Sequence, residues 1–151
     1  MSGTGLVVVL AVLVVATVVG MILRARSGRV RETASPAGTV PGTTPATSPD
    51  GWVLTGTAPA EGERVLLLQL SSPICTPCRQ TAGMLGELAA ARPAVRHVEI
   101  DVADRPEVAR ELSVMRTPTT IGFDHTGREL LRVSGVPRRA ELDEALGRAG
   151  A

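Results

Sequence analysis

Cys75 and Cys78 are the only cysteines in 151 residues, and they stand three apart with Thr76 and Pro77 between them. Two thiols at that spacing can exchange with a disulfide: a thiolate attacks, a mixed disulfide forms, and the neighbouring thiol releases the product. The aliphatic run 65–71 ahead of them reads as a buried strand, while residues 79–91 carry Met84, Leu85 and Leu88 at helical spacing. The pair is therefore placed where a strand hands over to a helix. Unpaired N–H groups and the positive end of the dipole at a helix start favour a thiolate, which is expected to hold Cys75 below the ~8.5 of a free thiol. Cys75 is thus the expected nucleophile. Cys78, one turn further in and less exposed, is the expected resolving thiol, and Thr76 and Pro77 form the active-site loop.

Other uses of the pair are weaker or stay open. A purely structural disulfide across so short a loop would restrain the unfolded chain little. A structural zinc site takes four Cys or His ligands; only His97 and His125 remain, in different elements and without ligand-like spacing, so no metal centre is expected. Copper held by the two thiolates is the competing reading. Carriers of that kind tend to bring Met or His near the thiols, and none lies within five residues of Cys75. The two alternatives are a catalyst of disulfide exchange with no cofactor beyond its own Cys75–Cys78 disulfide, and a non-catalytic thiol module that binds copper or tethers partners at a membrane.

The membrane enters through the other end of the chain. Residues 6–23 form an uncharged run of eighteen. At ~1.5 Å per helical residue that nearly crosses a hydrocarbon core of ~30 Å. A cleaved signal would show basic residues before the run and a small-residue cleavage site after it, and neither is present. Arg24, Arg26, Arg29 and Arg31 all follow the run, so the positive-inside rule directs the main domain to the cytoplasm and a five-residue tail outward. An extracytoplasmic domain is the alternative, since residues 33–49 resemble the spacers of exported proteins. The expected organisation is a tail (1–5), a transmembrane anchor (6–23), a basic juxtamembrane segment with a flexible Pro/Thr/Ser-rich linker (24–51), and a folded domain (52–151). A linker of about 27 residues would span roughly 26–31 Å. Net charge is +1, and basic residues of the domain alternate with acids, which argues against a nucleic-acid surface. The arginines beside the anchor suit anionic lipid headgroups.

Within the domain, Trp52-Val53-Leu54 is read as a short first strand. Strands at 65–71 and 95–101 follow, then a helix opened by Asp104 as N-cap with Pro106 and Glu107 inside it. Strands at 119–124 and 129–134 flank the turn His125-Thr126-Gly127 as an antiparallel hairpin. A last helix over 139–147 places Leu142 and Leu146 one turn apart. Trp52 and Phe123 are the only aromatics, so the core must be mostly aliphatic.

That order resembles the thioredoxin family over residues 52–149. The likeness rests on the strand feeding Cys75-Thr76-Pro77-Cys78, the helix starting inside the motif, Arg116-Thr117-Pro118-Thr119 some forty residues on, the hairpin, Gly135 and the final helix. It implies an α/β fold with a central mixed sheet flanked by helices and an activity on protein disulfides with an unidentified electron donor, and the expected anchor and linker would direct that activity to proteins near the membrane. It further implies a cis Pro118 against the cysteines and a Thr117 whose backbone pairs with an extended substrate. Two departures stand out. Ile74 occupies the place of a common Trp, and Gln69 that of a buried acid six residues before the first cysteine. His97 matches a lysine near that acid; pointing inward it would accept the proton of Cys78, and pointing outward it would be an ordinary strand residue.

Overall fold

The structure, a computed structural model, describes residues 3–32 and 49–151. Its first element, α1 (Gly3–Arg26), is a single helix whose side chains from Val7 to Leu23 are exposed on every side. Thr17 keeps its hydroxyl within the helix by donating to the carbonyl of Leu13 at 2.7 Å. Among the described residues no helix is long and apolar enough to cross a membrane.

A short strand, β1 (Val30–Glu32), follows at once and pairs antiparallel with a later strand, Val30 opposite Val133. Here the structure departs from the linker expected over 24–51. Only Ser27, Gly28 and Arg29 separate α1 from the sheet. Gly28 donates its N–H to the carbonyl of Ser134 at 2.8 Å and has φ of 79°, and a Cβ there would collide with the carbonyl of Val136. Glycine suits that left-handed close approach. The Pro/Thr-rich stretch 33–48 lies outside the described residues.

Residues 51–55 form a helix, α2 (Gly51–Thr55), where a strand was expected. The reason is at its ends. Asp50 caps it, accepting from the N–H of Trp52 at 2.8 Å and of Val53 at 3.3 Å, and Gly56 closes it in the left-handed conformation. Three apolar residues are too few for their periodicity to separate helix from strand. Trp52 is buried and donates its Nε1–H to the carbonyl of Asp124 at 2.8 Å.

The remaining elements are β2 (Val65–Ser71), α3 (Thr76–Ala91), β3 (Val95–Asp101), α4 (Pro106–Glu111), β4 (Thr119–Asp124), β5 (Glu129–Ser134) and α5 (Arg139–Arg148). In α4 the N-cap is Arg105, not Asp104, and it caps with no side-chain bond. Arg105 is turned away, donating to the carbonyl of Leu54 at 3.0 Å and pairing with Glu107. The five strands lie in the order β1-β5-β4-β2-β3, with only β2 and β3 parallel. This is the mixed α/β sheet expected from the resemblance.

β2 is buried at every residue because helices cover both of its faces. Leu66, Leu68 and Leu70 point into a core with Trp52, Ile100, Val108, Leu112, Ile121 and Phe123. Val65 and Leu67 point the other way, against Leu85 and Leu88 of α3 and Leu142 and Leu146 of α5. Each such aliphatic, fully buried, contributes roughly 1.5–3 kcal/mol relative to exposure.

Gly83 and Gly86 lie inside α3 with open space where a Cβ would stand. Gly83→Ala and Gly86→Ala should therefore each raise stability by about 0.5–1 kcal/mol, read from urea midpoints. A loss in either variant would mean that α3 needs the glycine for packing.

Candidate active site

β2 delivers the chain to a short turn, Ser72-Pro73-Ile74, and Cys75 then caps α3 from an extended conformation. Its Sγ accepts the N–H of Cys78 at 3.1 Å, in the manner of a capping oxygen. Pro77 falls in the first turn of α3, where its missing N–H leaves no helical bond unmade. Cys75 and Cys78 are joined as a disulfide with their Cα atoms 5.2 Å apart. Cys75 is half-buried, whereas Cys78 is only 2% exposed. An attacking group from outside can thus reach Cys75 and not Cys78. Opening the disulfide would leave the Cys75 sulfur at the helix N-terminus with the Cys78 N–H aimed at it, an arrangement that favours thiolate.

The Thr117–Pro118 peptide bond is cis. Thr117 and Ser72 share a hydrogen bond between their hydroxyls at 3.3 Å, which ties this loop to the turn before Cys75. Gly135 donates to the carbonyl of Pro118 at 2.8 Å, and Thr119 donates its hydroxyl to the carbonyl of Arg116 at 2.8 Å. Ile74 and Met115 stand 96% and 94% exposed. They put apolar surface on the turn before Cys75 and on the loop that carries the cis bond, where another chain can cover it.

Behind Cys78 the buried Gln69 offers both of its N–H groups, one to the carbonyl of Cys78 at 3.0 Å and one to Oε1 of Glu99 at 3.1 Å. Both neighbours are acceptors, so the amide must present nitrogen to them, and its Oε1 is left buried without a partner. His97 lies two residues before Glu99 on β3, level with Leu67. It is half-buried on the α3 side of the sheet, and its Nε2 is buried with no partner. Burial pushes its pKa below the ordinary imidazole value, partly opposed by the charge of Glu99. The hydrogen bond that reaches Cys78 from the sheet comes from Gln69, not from His97.

The structure thus gathers Cys75, Thr76, Pro77, Cys78, Thr117 and Pro118 at one end of the sheet, whereas His97 stands further back on β3, level with Leu67, with no hydrogen bond to Cys78. His125 belongs elsewhere, beside Pro59, Glu63 and Arg64. Glu99 escaped the sequence reading, although strand alternation already put it on the face of His97. Among the described residues no group of three or more His, Cys, Asp or Glu side chains could hold a metal ion.

Comparison with known proteins adds an independent line. The Thioredoxin family model matches residues 58–148. Thioredoxin H5 of Oryza sativa subsp. japonica is 35% identical over 89 residues, 59% of this chain and 65% of that protein. The SPbeta prophage-derived thioredoxin-like protein YosR of Bacillus subtilis (strain 168) is 34% identical over 80 residues, 53% of this chain and 92% of that protein. Among solved structures, Fasciola hepatica thioredoxin is similar with a TM-score of 0.52 and 30% identity, over 59% of this chain and 85% of that one. The matched stretch thus spans slightly less than two thirds of the rice protein and nearly all of the Bacillus one.

The depressed pKa of His97 makes a stability prediction. In the unfolded chain His97 takes up a proton near pH ~6.5, whereas in the folded chain it resists until the pH is lower. The contribution of His97 to stability is therefore fully present above about pH 6.5 and is lost as the pH drops from there through the folded pKa. Urea midpoints taken between about pH 7.5 and 5 should decline more steeply for the wild type than for His97→Gln. Parallel profiles would show that the imidazole is not desolvated.

Proposed function

The chain belongs to the thioredoxin family, and on that premise we propose that it is a membrane-tethered thiol–disulfide oxidoreductase that reduces disulfides of proteins near the bilayer. One observation carries the chemistry: a half-exposed Cys75 at the N-cap of α3, bonded to a buried Cys78, beside a cis Thr117–Pro118. In the dithiol form the Cys75 thiolate attacks one sulfur of a substrate disulfide. That S–S bond breaks, one substrate sulfur leaves as thiolate, and a mixed disulfide remains. Cys78 then loses its proton and attacks the Cys75 sulfur, which expels the second substrate sulfur and leaves the chain in the Cys75–Cys78 state. The substrate has gained two electrons and the chain has lost two, which an external dithiol donor must replace. No resident cofactor is called for.

Thr117 would hold the substrate backbone across the disulfide, with Ile74 and Met115 covering its apolar side chains. For the proton of Cys78 we assign His97 as acceptor, directly or through one water. Its lowered pKa keeps the imidazole neutral, and so able to accept, across the neutral range. Glu99, joined to Cys78 through Gln69, is a carboxylate on the same strand.

The tether is read from α1. Its eighteen-residue uncharged run and its exposure of aliphatic side chains all round support residence in lipid, because a helix apolar on every side needs apolar surroundings. The four arginines that follow support a cytoplasmic domain, and a reducing compartment fits the reductase direction.

Cys78→Ser should accumulate mixed disulfides with substrate proteins on non-reducing gels, while Cys75→Ser should lose turnover without trapping. Equal trapping by both variants would refute the assigned roles. In rapid-mixing measurements His97→Gln should slow the resolving step and flatten its dependence on pH; an unchanged rate profile would remove His97 from proton transfer.

A reporter active only outside the cytoplasm, fused after Ala151, should be silent. Strong activity would place the domain on the other face, and full extraction of the chain from membranes by alkaline carbonate would refute the anchor itself.

A further inference from the structure

Among the described residues, three guanidinium groups on the redox side of the domain, those of Arg29, Arg31 and Arg116, have no hydrogen bond or salt bridge of their own. They are exposed, and with Arg132 and Ser134 they line one pocket of about 430 Å³. The pocket is assembled from separate parts of the chain, namely the start of β1, the loop before the cis bond, and β5. Its strand register is unusual. Arg31 lies directly opposite Arg132 in the β1–β5 pairing, and like charges facing each other across a ladder oppose the pairing. Arg132 is partly neutralised by Glu129, at 2.6 Å and 2.8 Å, and donates to the carbonyl of Leu112 at 2.9 Å. Glu141 is the acid near Arg29, but its carboxylate already receives Arg138 at 2.9 Å and the N–H of Val30 at 3.2 Å. The pocket therefore holds more positive charge than its own acids offset.

Its location says what the charge is for. Arg116 directly precedes Thr117, the residue assigned to hold the substrate backbone. Gly28 is bonded to Ser134, and Gly135 to Pro118, so the rim of the pocket and the cis loop are linked by consecutive backbone bonds. A peptide lying along Thr117 would extend past these guanidinium groups, whose planar forks match a carboxylate with two parallel bonds.

We propose that this pocket reads an acidic side chain of the substrate, so that the chain prefers disulfides flanked by Asp or Glu. The proposal rests on the disulfide-exchange reading above. Lipid phosphate is the other chemistry that arginines beside an apolar helix would attract. That attraction needs only a flexible basic stretch, whereas here two of the four arginines come from the cis loop and β5, outside the juxtamembrane segment.

The test uses the full-length chain in neutral detergent, with dithiothreitol as electron donor and two cyclic disulfide peptides that differ only by Glu or Gln beside one cysteine. The wild type should show kcat/KM about tenfold higher for the Glu peptide, a difference of about 1.4 kcal/mol. The preference should shrink as salt is raised. Arg31→Gln should bring the two peptides within about twofold of each other while leaving the Gln peptide's rate in place. Arg31→Gln removes a like-charge pair, so it is expected to fold, and Arg29→Gln serves as a second variant with the same expected loss. Equal rates on both peptides in the wild type would overturn the proposal, as would a preference that survives in both variants. If the variants instead alter only binding to vesicles containing phosphatidylserine over phosphatidylcholine, the pocket serves lipid and the proposal fails. No reduction of either peptide by the wild type would instead sink the disulfide-exchange reading on which it rests.

Discussion

The structure depends on β2 being buried on both faces. Once helices cover both sides of a strand, each of its residues has a fixed side, and a slip of one position would exchange the two cores wholesale. Leu66, Leu68 and Leu70 are committed to α2 and α4, and Val65 and Leu67 to α3 and α5. The end of the strand is therefore fixed in space, and with it the turn that brings Cys75 to the start of α3. The same constraint explains Gln69. It is a buried polar residue on the α3 side, and an amide there is tolerable only because two acceptors meet its N–H groups.

From that geometry follows a division between the two sulfurs. Capping a helix makes Cys75 both reachable and electrostatically favoured as an anion, while one turn of α3 carries Cys78 into the core. Neither property belongs to cysteine itself. The different reach of the two sulfurs is an outcome of where a strand ends and a helix begins, and under the proposed function it would let one short motif serve for attack and for release.

β1 changes how the redox end relates to the rest of the chain. Because Val30–Glu32 joins the sheet and Gly28 bonds Ser134, the three residues from Ser27 to Arg29 are what separates α1 from the domain. With α1 in a bilayer, as proposed, the edge of the sheet beside the cis loop would sit close to the headgroups. The reach expected of a long free linker would not apply. The substrates best placed would be those whose disulfides lie near the membrane surface, and the arginines of the pocket would face the same zone.

How much of this was legible in the sequence can be told from particular elements. The strands at 65–71, 95–101, 119–124 and 129–134 were found at their observed limits, since runs of aliphatic and β-branched residues bounded by turn residues report local preference and burial together. The cysteine pair and its strand-to-helix setting were equally plain, because spacing and periodicity are local properties. α2 was misread, its three apolar residues fitting either structure until the caps of Asp50 and Gly56 are seen in place. β1 was missed, because Val30 is the one apolar residue between arginines and a glutamate, and what makes it a strand is a partner a hundred residues away. Glu99 and Arg132 escaped for the same reason, and Arg29, Arg31 and Arg116 stood out only as charges beside the anchor and as part of the cis-proline segment: residues 29, 31, 116 and 132 carry no mutual spacing in the chain, and only the pairing of β1 with β5 and the position of the cis loop bring them together. The sequence by itself determined the elements and the reactive pair, which rest on contacts near in the chain; which distant side chains meet around that pair was decided by tertiary structure, because strand order and register are settled by burial of the whole sheet.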